Sequence, residues 1–220
     1  MIDAIVFDMD GVIVDSEVHW KQVEAEFLGG LIPGWSAKDQ HSILGMSAYD
    51  VHMKLVRDYG VTMSVKEYFD YYNALSKKIY GERSALIPGS TELIHVLHVR
   101  EVPLALCSSS PREWIDIVLD RFSLRELFRV VVSASDVKGR GKPAPDIYLH
   151  TLKQLGSPAE STAAIEDSQK GVQSAKSAGL TCFGFRNGFN GDQDLSAADA
   201  IVEGFSGLTP ERLLSAERRI

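Results

Sequence analysis

The chain has 220 residues, 45% hydrophobic and 24% charged, which is enough for a sizeable buried core in one large domain or in a core with a smaller companion. A net charge of -7 argues against a nucleic acid or an acidic membrane as partner and leaves small molecules as the expected ligands. No apolar stretch approaches the roughly 18 residues of a membrane span, and Asp3 stands just ahead of the first apolar run, so no signal peptide is expected and the expected location is cytoplasmic.

The first element is a strand, Ala4-Ile5-Val6-Phe7, running into Asp8-Met9-Asp10-Gly11. A helical pattern starts near Ser16-Glu17 and is expected to stop at Gly29-Gly30. Val51, Leu55, Val56 and Tyr59 recur at helical spacing, as do Tyr68, Phe69, Tyr72, Leu75 and Ile79, and no strand pattern lies between residues 16 and 85. From Pro88-Gly89 onward helices and strands alternate. Helices are expected near 90–100, 111–121, 145–155 and 168–178, and strands at Pro103–Cys107, Arg129–Ser133, Thr162–Ile165, Thr181–Phe185 and Asp199–Val202. Residues 186–198, rich in Gly, Asn and Asp, read as a surface loop, and a terminal helix is expected after Leu208 with a frayed Arg218-Arg219 end.

Short apolar strands alternating with helices predict an α/β fold, a doubly wound parallel sheet with its ligand crevice at the carboxyl ends of the strands. The all-helical stretch interrupts that alternation just after the first strand. It therefore reads as an inserted helical cap domain of residues 16–85 over a catalytic core made of residues 1–15 and 86–220. Cys107 and Cys182 each lie inside an apolar run and read as buried reduced thiols rather than a disulfide.

The unusual polar residues fall where strands of such a sheet end. Asp8 and Asp10 follow the first strand, where unpaired carboxylates would be costly without a cation or hydrogen bonds, although an acidic surface turn would look the same. Ser108, Ser109 and Ser110 follow the strand ending at Cys107 and precede Pro111, a pattern suited to an anion site and equally to a plain helix cap. Lys142 lies in the loop Lys138–Pro145, stiffened after it by Pro143 and Pro145; a solvated surface lysine is the alternative. Glu166 and Asp167 emerge from another strand with Ser168 as cap, where they either need a partner or simply favour the helix dipole. Together these would be four carboxylates, a lysine and several hydroxyls. Oxygen-only ligands beside a phosphate suit Mg²⁺, and the carboxylates would repel one another without it.

In order along the chain, Asp8-Met9-Asp10-Gly11-Val12, Ser108 after a hydrophobic strand, Lys142-Pro143, and Glu166-Asp167 with Ser168, Lys170-Gly171 and Ala175 resemble the haloacid dehalogenase superfamily. The likeness is nearest to its phosphatase and β-phosphoglucomutase-like branch with a helical cap, and it covers essentially the whole chain. It implies that Asp8 is the nucleophile and Asp10 the general acid and base. Ser108 and Lys142 would bind the transferring phosphoryl group with Ser109 beside them, and Mg²⁺ would be held by Asp8, the backbone carbonyl of Asp10, Asp167 and Glu166. It also marks His19, in the early cap, as a candidate substrate contact, with a purely structural histidine as the alternative.

The implied activity is hydrolysis of a small phosphorylated metabolite, such as a sugar phosphate, through an aspartyl-phosphate. The β-phosphoglucomutases carry a cap arginine after a Gly-Val-Ser element, where this chain has Gly45-Met46-Ser47-Ala48, so a phosphomutase is the alternative. A non-catalytic binding protein on the same fold is the second alternative. A monomer is expected, or else a dimer.

Overall fold

The structure is a computed structural model describing residues 1–43, 46, 48–137 and 141–216. Six parallel strands form one sheet in the order β3 (Val130–Ser133), β2 (Leu104–Ser108), β1 (Ala4–Phe7), β4 (Thr162–Glu166), β5 (Thr181–Arg186) and β6 (Ala200–Glu203). Every residue of β1, β2 and β4 is buried, because both faces of a parallel sheet are covered by its crossover helices. Alternation along β1 divides the core in two. Ile5 and Phe7 pack with helices α5 (Ser90–Val99) and α6 (Arg112–Arg121), while Ala4 and Val6 pack with α7 (Asp146–Leu155) and α8 (Gln169–Ser177). Both cysteines are buried free thiols. A short α9 (Pro210–Leu214) closes the described chain, and the Arg218-Arg219 end lies outside the described residues.

Between β1 and α5 the chain forms α1 (Ser16–Leu31), α2 (Ala37–Ile43), α3 (Ala48–Tyr59), α4 (Val65–Lys78) and a π-helical turn, Ile79–Arg83, with no strand among the described residues. One expectation is corrected here, and one helix carries no sequence signal. Helix α1 does not stop at Gly29-Gly30 but continues to Leu31, and the chain turns extended at Ile32, the residue before Pro33, where proline disfavours the helical region. Helix α2 left no periodic signal, because its seven residues bury only Ile43.

The apolar core of these helices is continuous with the α5/α6 side of the sheet. Trp20 of α1 stacks on Trp114 of α6 with ring centroids 4.9 Å apart, and Arg121 donates to the carbonyls of Tyr80 and Ser84 at 2.7 Å each. The two connections to the helices pair with each other: Val14 and Leu86 form an antiparallel bridge, and Ile87 N–H donates to the Ile13 carbonyl at 2.9 Å. Among the described residues no helix is long and apolar enough to cross a membrane.

Candidate active site

Strand order and register create the site. Phe7 of β1 pairs with Leu106 of β2 on one side and Ile165 of β4 on the other, so the three strands end within two residues of one another and bring Asp8, Ser108 and Glu166 together at the carboxyl end of the sheet. This is the crevice that a doubly wound sheet leaves at its carboxyl ends. Lys142 reaches the same point from its loop. Its ammonium donates to Asp8 Oδ1 and Glu166 Oε1, both at 2.7 Å, and to the Cys107 carbonyl at 3.3 Å, and the side chain is almost wholly buried. The solvated-lysine alternative is therefore excluded. Residues Lys138, Gly139 and Arg140 of that loop lie outside the described residues.

Burial lowers the proton affinity of Lys142, but the carboxylates of Asp8 and Glu166 raise it by more, so the ammonium is held charged. Asp8 is pushed well above the usual carboxylate range by burial, with Lys142 opposing the shift. Asp167 is likewise raised, by burial first and then by Asp8, Glu17, Glu166 and Asp10. In both, burial and the neighbouring carboxylates together disfavour full ionisation of the cluster.

Oxygens of Asp8, Glu166 and Asp167 all lie within 4.8 Å of one another. Glu166 is fully buried: its Oε1 receives both Lys142 and the Tyr148 hydroxyl, whereas its Oε2 has no hydrogen-bond partner. An orphaned buried oxygen beside two further carboxylates fits a hard divalent cation such as Mg²⁺, which takes oxygen ligands alone. The Asp10 carboxylate is not in this group. Its Oδ1 accepts from Ser16 Oγ and, at 2.7 Å, from the Tyr80 hydroxyl; its Oδ2 accepts from Ser110 Oγ at 2.8 Å and Ser108 Oγ at 3.4 Å.

Two glycines form the bed of the acids. Gly11 has φ +76° and a Cβ there would stand 1.9 Å from Asp167 Oδ2, while a Cβ on Gly171 of α8 would stand 1.8 Å from Glu166 Oε2.

Above the acids lies a cavity of about 320 Å³, lined by Asp8, Asp10, Ser108, Ser109, Lys142 and Asp167 from the sheet side and by α1, α3, α4 and Tyr80 from the helices. Helix α1 turns Glu17, Trp20, Lys21 and Glu24 toward it, the i, i+3, i+4, i+7 face. His19 is not among the lining residues, since two positions from Glu17 falls about 200° around the helix. The expectation of a His19 contact finds no geometry here. Ala48 does line the cavity, whereas Gly45 and Ser47 of the same element lie outside the described residues.

Several site residues carried no sequence signal. Tyr80 and Tyr148 reach Asp10 and Glu166 across 70 and 18 residues, and neither stands in a recognisable motif. The expected surface loop 186–198 is partly a wall of the site: Asn187 Nδ2 donates to the Gly11 carbonyl at 2.9 Å and to Asp167 Oδ2 at 3.1 Å, and buried Asn190 donates to the Asp167 carbonyl at 2.7 Å. An Asn-rich turn following a strand end was the one cue available.

A family model described as haloacid dehalogenase-like hydrolase matches residues 5–185. The chain is 27% identical over 220 residues to the phosphorylated carbohydrates phosphatase of Thermotoga maritima, covering 100% of both. It is 30% identical over 222 residues to Protein CbbY of Rhodobacter capsulatus, covering 96% of this chain and 97% of that one. The crystal structure of CbbY from Rhodobacter sphaeroides in complex with phosphate superposes with a TM-score of 0.82 at 26% identity, covering 97% and 99% of the two chains. With four motifs meeting at one sheet edge and a model that spans most of the sequence, the chain belongs to the haloacid dehalogenase-like hydrolase family.

Proposed function

We propose that the chain is a Mg²⁺-dependent phosphatase that hydrolyses a small phosphorylated metabolite through an aspartyl-phosphate on Asp8. The observation that carries this is the arrangement of Asp8: one oxygen bound to the Lys142 ammonium, the carboxylate within 4.8 Å of Glu166 and Asp167 oxygens, and a cavity directly above. A nucleophile, a cation for the phosphoryl oxygens and room for a leaving group stand in one place. Asp8, Glu166 and Asp167 would hold the Mg²⁺, with the Asp10 carbonyl, and the bound ion would neutralise charge on the phosphoryl oxygens.

The chain's own residues do the rest. An Asp8 oxygen forms a bond to phosphorus as the bond to the alcohol oxygen breaks, and protonated Asp10 gives its proton to that oxygen. Water then attacks phosphorus, its proton passes to Asp10, and the Asp8 carboxylate leaves. Four hydroxyls around Asp10 fix its orientation, and Ser108 with the Lys142 ammonium would grip the phosphoryl group.

Hydrolysis is favoured over the phosphomutase alternative because Ala48 stands on the cavity wall where the mutases carry arginine. The name of the Thermotoga relative supports a phosphorylated carbohydrate as one substrate class. Asp8→Asn tests the assignment: the amide is close in shape but a poor nucleophile, so purified folded variant should lose Mg²⁺-dependent phosphate release from 4-nitrophenyl phosphate by at least about a thousandfold. Retention of a sizeable fraction of activity removes Asp8 from the role.

A further inference from the structure

The cavity over the acids differs from a second phosphate site in its charge. Of all lysines and arginines among the described residues of the helical block, only Lys21 lines it, one helical turn after Glu17. Glu24 also lines the wall, fixed by the Tyr72 hydroxyl at 3.1 Å on Oε1 and by Gln40 Nε2 at 2.7 Å on Oε2. Glu17 itself makes no hydrogen bond with any described residue. It faces the cavity as an acceptor without a donor.

The remaining wall is aromatic and apolar. Trp114, Trp20, Tyr72 and Tyr68 form a run of nearly parallel rings, with interplanar angles of 19°, 13° and 26° between successive members. Tyr68 is fully buried behind this wall, and its hydroxyl has no hydrogen-bond partner. Aromatic walls with convergent acceptors suit a ring-shaped, hydroxyl- or amine-bearing group. Among the described residues of the helical block, this wall offers a second phosphate or a carboxylate no cation besides Lys21.

We propose that this pocket admits monophosphate esters whose leaving alcohol is uncharged or cationic, and that Glu17 is the specificity-determining residue that rejects a second anion. The proposal rests on the phosphatase reading of the adjoining site and names the substrate class it takes. Glu17 is already raised to about 7, by burial and then by Asp10 and Glu24, which is the response of a carboxyl in a field that another anion would worsen.

The test uses three esters of one shape, 4-(aminomethyl)benzyl, 4-(hydroxymethyl)benzyl and 4-carboxybenzyl phosphate, whose benzylic alcohols are leaving groups of similar acidity. At pH 8 the hydroxymethyl ester should be turned over with kcat/KM at least about tenfold above the carboxylate ester, a difference of about 1.4 kcal/mol, and the ammonium ester should be no worse than the hydroxymethyl ester. Glu17→Gln should narrow the hydroxymethyl-to-carboxylate ratio at least threefold, and Glu17→Asp should largely restore it. A carboxylate ester equal to or better than the neutral one overturns the proposal, as does glucose 1,6-bisphosphate consumed faster than glucose 6-phosphate. An unchanged ratio in Glu17→Gln removes Glu17 from the role. If even 4-nitrophenyl phosphate is not hydrolysed, the phosphatase reading fails separately, and calorimetric binding of the same three esters still decides the charge order.

Discussion

Gly171→Ala should be one of the most damaging single-carbon additions available to this chain. The new Cβ would meet Glu166 Oε2 at 1.8 Å, Cδ at 2.2 Å and Oε1 at 2.5 Å, against the 3.4 Å at which ordinary contact begins. The carboxylate would have to retreat by about 1.6 Å to reach van der Waals separation. It is fully buried, and Oε1 is held by the Lys142 ammonium at 2.7 Å and by the Tyr148 hydroxyl. Both bonds cannot survive such a shift. Breaking a buried ion pair costs about 3–5 kcal/mol, and the helix-forming advantage of alanine over glycine returns about 0.5–1 kcal/mol. The net loss is thus about 2–4.5 kcal/mol in the unfolding free energy of the metal-free protein, read by urea denaturation, with weaker Mg²⁺ binding alongside. Gly29→Ala is the control, because that helical glycine has nothing within 4 Å of its would-be Cβ and should gain about 0.5–1 kcal/mol. Equal stability of Gly171→Ala and the parent would refute the reasoning, since Glu166 would then not be pinned.

Asp10→Asn should lower turnover of an alkyl phosphate by about 10²–10⁴-fold and cost far less with a nitrophenolate leaving group, which needs little protonation; equal losses across leaving groups would remove Asp10 from the acid role. Asp167→Ala should weaken Mg²⁺ binding by at least about tenfold in a titration, while changing metal-free stability little, because burial and the neighbouring carboxylates already disfavour its charged form. Overlaid titrations of variant and parent would show that Asp167 is not a ligand. Glu17 gives a pH signature. Its folded value is raised from 4.5 to about 7, so the stability it contributes is complete below 4.5 and is lost as pH rises through about 7. Glu17→Gln should therefore flatten the fall in metal-free stability over that window, and an unchanged profile would show that burial and Asp10 do not raise the Glu17 carboxyl.

Much of this was legible because the strands announce themselves. Ala4–Phe7 and residues 104–107 are continuous apolar runs, and the polar residues that end them, Asp8 and Ser108 to Ser110, follow directly. Neighbouring strand ends then follow from parallel pairing, so linear motifs became neighbours in space. What the sequence hid was contact made by side chains from distant irregular segments. Tyr80 belongs to a π-helical turn that no periodicity marks, and Asn187 and Asn190 sit in a turn whose composition resembles any surface loop. Helix α2 escaped because a single buried residue leaves no period. His19 drew notice as a chemical type in a suggestive stretch, but helix rotation and not residue type decides which side chains of α1 meet the cavity.

The bridge between Val14 and Leu86 has a consequence for chain connectivity. Antiparallel neighbours stand only about 5 Å apart, so the whole run of helices leaves and re-enters the sheet through one doorway. A two- or three-residue turn could join Asp15 directly to Leu86 and leave every strand with its present neighbours. A foreign insert whose ends meet at that spacing would fit the same doorway only if it also covered the apolar surface that Trp20 now shares with Trp114. Such a graft would have to bring its own hydroxyls for Asp10, because Ser16 and Tyr80 would leave with the original.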